Sequence, residues 1–472
     1  MLPKPINYAV WPVVVPADKP TDMIITAAER AFLLRENEEY TLTIVPTYGD
    51  EPDYYVPAGA KTFTAVAHEG VLKFAYTFEG EQEHLIILSQ GEKKLQEMNV
   101  YSLKEDMIDL VPLKGDFHGH SYRSDGRRDP AALAGHYREQ GYDFFSLTDH
   151  NRYFPGNEVD TVYAGVDTGF TRVLGEEVHA PGSIVHIVHV GGKKTVTEFY
   201  VLDRPGYESV IAEYEKKVPE NIPAQYAARY ARAMWATERI HEAGGLAIFP
   251  HPYWQPGKSR MHNVCDEFAE ILLKSGMFDA YELIGGMGQV GNNRSVALWG
   301  KLRAEGLKIP VVGSSDVHGL ERSKEFPHYF TICFAKANEN DAIIDAVRNG
   351  LSVAVEAVGT EYERHFRCYG ELRLVSYAQF LLQHYFPKLQ RLCQGEGAMM
   401  RSYAMNEAPA AVVEGMAQVC RDYTLRVLGK KAPQLPDAQM LKLEDEWREV
   451  QLARGPITKG GQVYTDVVSR QI

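Results

Sequence analysis

The stretch Gly115-Asp-Phe-His-Gly-His-Ser-Tyr-Arg-Ser-Asp-Gly126 sets His118 and His120 two residues apart, with Asp125 five further on. Side chains two apart on a strand point to the same side. Two imidazoles leaving one strand end on one side make half of a metal site. The following Ser-Asp-Gly reads as a turn that returns Asp125 over the same spot. A lone His-x-His also arises by chance, so its meaning depends on what recurs downstream.

From Gly115 onward, strands and helices alternate. Asp129-Pro130 opens a helix with an N-cap and a proline in its first turn. That helix is expected to stop at Gly141. Strands are expected at 143–147, 172–175, 183–190, 246–249, 280–284, 309–313 and 351–355. Helices are expected near 206–217, 224–243, 263–275, 293–305 and 339–349. Alternation over about 240 residues suits an α/β barrel. Several of these strands end in imidazoles or carboxylates: Thr148-Asp-His150, Glu176-Glu177, Pro250-His251 and Ser314-Ser-Asp-Val-His318. The C-terminal strand ends of such barrels carry the active site. Topology would therefore gather residues that the sequence keeps far apart.

The set so assembled is His118, His120, Asp125, His150, Glu177, His186 or His189, His251, Asp316 and His318. It contains no thiolate, and its histidine content suits manganese, iron or zinc better than magnesium or calcium alone. It exceeds what one ion can use, so two or three ions bridged by a carboxylate are expected. Glu176 and Glu177 are adjacent and must face opposite ways. His186 and His189, three apart, also face opposite ways, and only one can look into the barrel mouth.

These motifs, in this order, resemble the PHP family, named for polymerase and histidinol phosphatase. The resemblance covers roughly 112–356: His118-x-His120 with Ser124-Asp-Gly126, then Thr148-Asp-His150, Gly175-Glu-Glu177, Phe249-Pro-His251-Pro and Ser315-Asp-Val-His318. It is nearest to the free-standing branch that includes carbaryl-hydrolase-type proteins. It implies a distorted (βα)7 barrel whose mouth holds two or three divalent ions. It implies His118, His120, Glu177 and Asp316 around one ion, with Glu177 bridging to a second held by His186 and His251. Asp125, His150 and His318 would hold a third. The implied chemistry is a metal-dependent phosphoesterase in which a metal-bridged hydroxide attacks a small phosphate ester, with Glu177, Asp316 and His318 as catalytic candidates. Asp316 or His318 would pass a proton to the leaving oxygen.

A phosphate also calls for guanidinium groups. Arg123, Arg127, Arg152 and Arg322 lie in or beside the motif loops, with Arg152 the first choice. Glu282 and His179 are further candidates for substrate contact. Asp149 is expected to support the turn. A rival reading keeps the ions but targets a carboxyl ester, carbamate or amide. Tyr153, Phe154, Tyr253 and Trp254 follow ligand positions and would line an apolar pocket for it. A second rival is a non-catalytic metal-binding module, which is disfavoured because no ligand position is lost.

Outside the barrel, residues 1–111 read as a β-rich, sandwich-like domain. Tyr40-Thr-Leu-Thr-Ile-Val-Pro46, 61–67, 71–77 and 84–89 alternate as strands should. Residues 357–472 read as a helical C-terminal extension, with amphipathic stretches at 372–392, 408–428 and 439–450 and a polar final dozen. Both flanks are expected to give structural cover or homo-oligomer contacts.

The totals fit this layout. A chain of 472 residues with 45% hydrophobic and 24% charged residues can fill two or three ordinary domains. A net charge of −13 argues against nucleic acid or an anionic membrane as partner and leaves a small-molecule substrate. Five single cysteines form no Cys-x-x-Cys, which suits a reducing compartment. No signal-peptide pattern and no run near the roughly 18 apolar residues of a membrane span is seen, so a cytoplasmic setting is expected.

Overall fold

The computed structural model describes residues 6–48, 59–257, 261–320, 326–359, 364–454, 457–459 and 462–464. Arg322 and the polar C-terminal end from 465 lie outside the described residues. The chain forms two compact units, first Met1–Asp109 with Asp422–Ile472 and second Leu110–Arg421. The residues read as a C-terminal extension are thus shared between the two units.

In the first unit, eight strands form one sheet in the order Tyr8–Trp11, Pro20–Ala27, Val71–Thr77, Lys61–His68, Glu39–Pro46, Glu83–Gln90, Lys93–Leu103, Val14–Pro16. The sheet changes partner at Lys61–His68. That strand pairs with Glu39–Pro46 over most of its length and with Val71–Thr77 only at Ala67 and His68. Alternation decides the buried side: Tyr40, Leu42 and Ile44 point inward. They share one hydrophobic cluster with Met23, Ile25 and Leu72 from the other half of the sheet.

The second unit is a mixed α/β structure built on two sheets. One runs Thr171–Val173, Phe144–Ser146, Val111–Asp116, Tyr329–Ala335, Ser352–Val358, His365–Tyr369. The other runs Gly175–Val178, Ile187–Val190, Leu246–Phe249, Ala280–Ile284, Val311–Gly313. Single bridges, Gly119 with Val317 and His150 with Glu177, join the sheets at the motif loops. Leu113, Phe144, Val188, Ile248 and Val312 from both sheets meet in one core beneath them. Helices including Ala224–Glu242, Asp266–Lys274 and Gly288–Ala304 cover the second sheet through their own apolar faces.

Strand pairing departs from uniform βα alternation. Gly175–Val178, Ile187–Val190 and Leu246–Phe249 pair antiparallel, as do Val111–Asp116 and Tyr329–Ala335. Tyr329–Ala335 has no counterpart in the expected strands. All seven of its residues are buried, so it shows no two-residue alternation to read. The strand expected over 183–190 is shorter, Ile187–Val190, which leaves His186 just before it. Short helices at Pro155–Val162 and Thr197–Leu202 also have no counterpart among the expected elements. The expected helix after Asp129 forms over Pro130–Glu139, and the Asp129 carboxylate accepts from the Ala131 and Ala132 amides.

Helices Leu372–His384 and Phe386–Ala404 belong to this second unit. Phe386–Ala404 packs on Pro130–Glu139 through a pair of glycines. A Cβ on Gly397 would stand 2.4 Å from the Gly135 carbonyl oxygen. Arg138 and Glu396 form a buried ion pair at 2.7 Å beside that crossing. Among the described residues, no helix is long and apolar enough to cross a membrane.

Candidate metal centre

The site forms where the strands stop. Val111–Asp116 ends in the His118-Gly119-His120 loop, and both imidazoles are buried. The next turn folds back as its sequence requires. The Gly126 and Ser124 amides donate to the Ser121 carbonyl, and a Cβ on Gly126 would collide with the His120 carbonyl at 2.3 Å. Asp149 fixes this turn by accepting from the Ser121 amide and hydroxyl and from the Ser124 hydroxyl at 2.6–2.9 Å. Asp125 thereby returns to 3.4 Å from both His150 Nε2 and His318 Nε2.

Glu177 stands at the middle. Its Oε2 lies 2.8 Å from His150 Nδ1, 3.4 Å from His118 Nε2 and 3.5 Å from His120 Nε2. Its Oε1 lies 2.9 Å from His186 Nδ1, 3.2 Å from His251 Nε2 and 3.4 Å from His179 Nε2. Each carboxylate oxygen therefore faces three imidazoles. Asp316 Oδ1 lies 3.0 Å from His120 Nε2 and 3.3 Å from His118 Nε2. The groupings within metal-ligating reach include His120 with Asp125, His150 and His318; His118 with His251 and Asp316; Glu177 with His186 and His251; and His150 with Glu177 and His179. His120 thus falls with the Asp125 group as well as with His118 and Glu177. His251 falls with His118 and Asp316 as well as with His186.

Alternation separates the ambiguous pairs. Glu177 and His186 face the centre. Glu176 and His189 face away and meet each other at 3.0 Å. The loops that present ligands are held in uncommon backbone conformations. Asn151, His251 and Asp316 have φ of 53°, 24° and 53°. Such left-handed residues cost about 1–3 kcal/mol each when they are not glycine, and they gather where structure is held for function.

The electrostatics follow from burial set against paired charge. Burial pushes the Glu177 and Asp316 carboxyls up, yet the surrounding histidines hold both well below the usual carboxylate range. Burial alone lowers the His150 imidazole, but the Asp125 and Glu177 carboxylates beside it prevail and raise it to about 10. For His186 burial prevails and lowers it to about 4, which leaves it neutral, the form of an imidazole that binds metal.

The buried atoms fit divalent ions. His118 Nε2, His120 Nδ1, His150 Nδ1, His251 Nδ1, His179 Nε2 and Glu177 Oε2 are buried without a hydrogen-bond partner. Buried polar atoms ordinarily find partners. Here His118 Nε2 and His150 Nδ1 stand within 3.4 Å of Glu177 Oε2 without hydrogen-bond alignment, which is the arrangement a cation satisfies. The donors are imidazoles and carboxylates, a set that suits manganese, iron or zinc.

Two supporting residues lie outside the expected set. Asp116 is buried and accepts from the Ser315 hydroxyl and amide, the His118 amide and the Tyr137 hydroxyl. It ties the first ligand loop to the loop of Asp316. Burial pushes its carboxyl up to about 6 despite these hydrogen bonds. Its position two before His118 is the signal that was available, since both leave the strand on one side. Asn151 is the other: its amide donates to the Glu177 carbonyl, and its side-chain oxygen accepts from the His179 amide.

The residues read as substrate contacts fall in three different places. Glu282 is buried, and its Oε2 meets His118 Nδ1 at 2.9 Å, on the ring edge away from Glu177 and Asp316. His179 lies inside the imidazole group around Glu177. Arg152 lines a cleft of about 580 Å³ that begins at His150 and includes Tyr153 and Phe154. Arg123 is engaged by Glu158 at 2.7 Å, and Arg127 is exposed. Of the other aromatics, Trp254 stands beside His186 and His251, while Tyr253 is buried against His262.

No family model matches the chain. The DNA polymerase/3'-5' exonuclease PolX of Bacillus subtilis is 38% identical over 58 residues, 12% of this chain and 10% of that protein. A solved two-domain protein from Bacteroides vulgatus, described as containing a predicted PHP-like metal-dependent phosphoesterase, shares 18% identity at a TM-score of 0.37. That match covers 52% of this chain and 65% of the other. An amidohydrolase from Chromobacterium violaceum shares 17% identity at a TM-score of 0.30, covering 45% and 89%. The chain spans about a tenth of the curated polymerase it matches.

Proposed function

We propose that this chain is a PHP-like, metal-dependent hydrolase that cleaves small phosphate esters. The observation that carries the reading is Glu177, with three imidazoles on each of its two oxygens. A carboxylate so placed would hold cations with the imidazoles on its two sides. His118, His120, Asp125, His150, His186, His251, Asp316 and His318 would hold two or three of them with it. Divalent ions at such a site supply an acidified water nucleophile and neutralise charge on the reacting group.

The chain's own residues prepare that chemistry. Glu282 fixes the His118 ring through Nδ1, so that Nε2 faces the centre. Asp116 holds the Ser315 loop and so sets Asp316. His318 is oriented by its Nδ1 contact with the Asp316 carbonyl oxygen at 2.9 Å. Its side chain is 40% exposed, against 12% for Asp316. His318 is therefore the more open of the two to the mouth of the site, and a proton role for it would require its Nε2 to stand outside the ion-holding set. Glu282 serves as a positioning residue in this reading and not as a substrate contact.

A second reading, hydrolysis of a carboxyl ester, carbamate or amide, is favoured by one observation. The cleft at His150 carries one arginine, Arg152, beside Tyr153, Phe154, Val201 and Leu202. The deciding experiment loads the protein with manganese, iron or zinc in parallel and assays phosphomonoesters and diesters beside carboxyl esters and carbamates. Asp316→Ala serves as the blank. Turnover of phosphates alone is the expected result. Turnover of carbonyl substrates alone would overturn the phosphate reading.

A further inference from the structure

On the far side of the strand from the metal centre lies a second buried polar cluster. Glu176, adjacent to Glu177, points the other way. Its Oε1 accepts from the Val196 amide at 2.6 Å and meets His189 Nδ1 at 3.0 Å. Its Oε2 accepts from the Thr195 and Thr197 hydroxyls at 2.8 and 2.5 Å. Glu176 and His189 are both fully buried. Gly192 and Gly245 close on the His189 ring; a Cβ at either would stand 2.1 or 2.6 Å from its Nε2. The Tyr153 ring stacks on His189, and its hydroxyl donates to the Gly192 carbonyl.

This cluster holds the helix Thr197–Leu202. Six residues are too few to be helical unaided. Glu176 fastens the start through Thr195, Val196 and Thr197. Asn151, next to His150, accepts from the Tyr200 hydroxyl and fastens the middle. The far end then presents Val201 and Leu202, 58% and 76% exposed, across the cleft from Phe154, 50% exposed. Large apolar side chains exposed together at one cleft mark a surface meant to be covered. His150 lines this cleft and lies 2.8 Å from Glu177, so the cleft opens on the metal centre.

We propose that this cleft receives an apolar, ring-sized group of the substrate, and that Glu176 is a positioning residue that sets its wall. The proposal rests on the hydrolytic reading of the centre. It assigns the substrate class as an ester whose reacting end is held by the ions and whose departing end is apolar. Arg152 and Glu198 at the rim would meet polar substituents on that group.

The test uses metal-loaded full-length protein and calorimetric titration with phenylphosphonate and methylphosphonate. The wild type is expected to bind the phenyl compound about tenfold more tightly, because burying one ring removes several carbons' worth of surface from water. Leu202→Asp, at an exposed position that does not threaten folding, is expected to cut that ratio below about threefold. Glu176→Gln should cut it as well, which a purely structural role would not do. Hydrolysis of phenyl phosphate is followed on the same samples. No turnover with the binding ratio intact sinks the phosphate-ester reading and leaves the cleft assigned. A ratio near one, a ratio that survives Leu202→Asp, or binding of neither phosphonate overturns the cleft proposal.

Discussion

At the scale of single residues, the centre depends on which edge of each ring is held. His118 meets Glu177 and Asp316 through Nε2 and Glu282 through Nδ1. A carboxylate behind a ligating imidazole fixes its tautomer and raises its basicity. Glu282→Gln keeps the shape and removes the charge. The expected outcome is a 10- to 100-fold loss of metal affinity or turnover with the fold retained, the usual range for such partners. Metal titration and circular dichroism on the same variant check it; a variant with full affinity and full activity would return Glu282 to a packing role. Much of this level was legible beforehand. The two-residue spacing of His118 and His120, the Ser-Asp-Gly turn and the opposed parity of Glu176 and Glu177 all follow from strand geometry. The tasks of Glu282 and Asp116 were not legible. Each is defined by a partner more than 150 positions away, His118 for one and Ser315 for the other.

At the scale of elements, alternating patterns were readable and buried ones were not. Glu39–Pro46 shows its inward face as Tyr40, Leu42 and Ile44. Tyr329–Ala335 is buried at every residue, so nothing in it alternates, although it pairs with the strand that leads to His118. The stretch 372–392 is readable as helical, but neither the continuation of Phe386–Ala404 beyond it nor the packing of that helix on Pro130–Glu139 is. Their contact is set by the small size of Gly135 and Gly397, and a sequence gives no hint of which glycine meets which. Gly397→Ala separates the two effects. Helix propensity alone predicts a gain of about 0.8–1.0 kcal/mol. The added Cβ would stand 2.4 Å from the Gly135 carbonyl and the Glu139 amide, both backbone atoms that cannot rotate away. Crowding of this kind costs about 1–3 kcal/mol. Net destabilisation in urea unfolding is therefore expected, and a stabilised variant would show that this helix crossing is loose.

At the scale of the whole molecule, all the ligand candidates from His118 to His318 belong to the compact unit Leu110–Arg421. They are brought together only when both of its sheets and the loops between them are in place. An unfolded chain has no such site, so ions that bind it should favour the folded unit by mass action. At a free metal concentration a hundredfold above the dissociation constant, that is about 2.7 kcal/mol. The same reasoning explains why the ions matter to the folded unit itself. Without them, buried imidazole nitrogens and a carboxylate oxygen are left with no hydrogen-bond partner, and such atoms cost about 1–3 kcal/mol each. The expected result is a melting transition that falls when the metal is chelated and recovers when manganese, iron or zinc is restored, followed by scanning calorimetry on the full chain. Glu177→Gln should abolish the recovery, because the one carboxylate facing six imidazoles is then neutral. A transition indifferent to chelation in wild-type protein shown to contain metal would mean that the cations sit elsewhere, and it would remove the physical basis for reading Glu177 as a bridge.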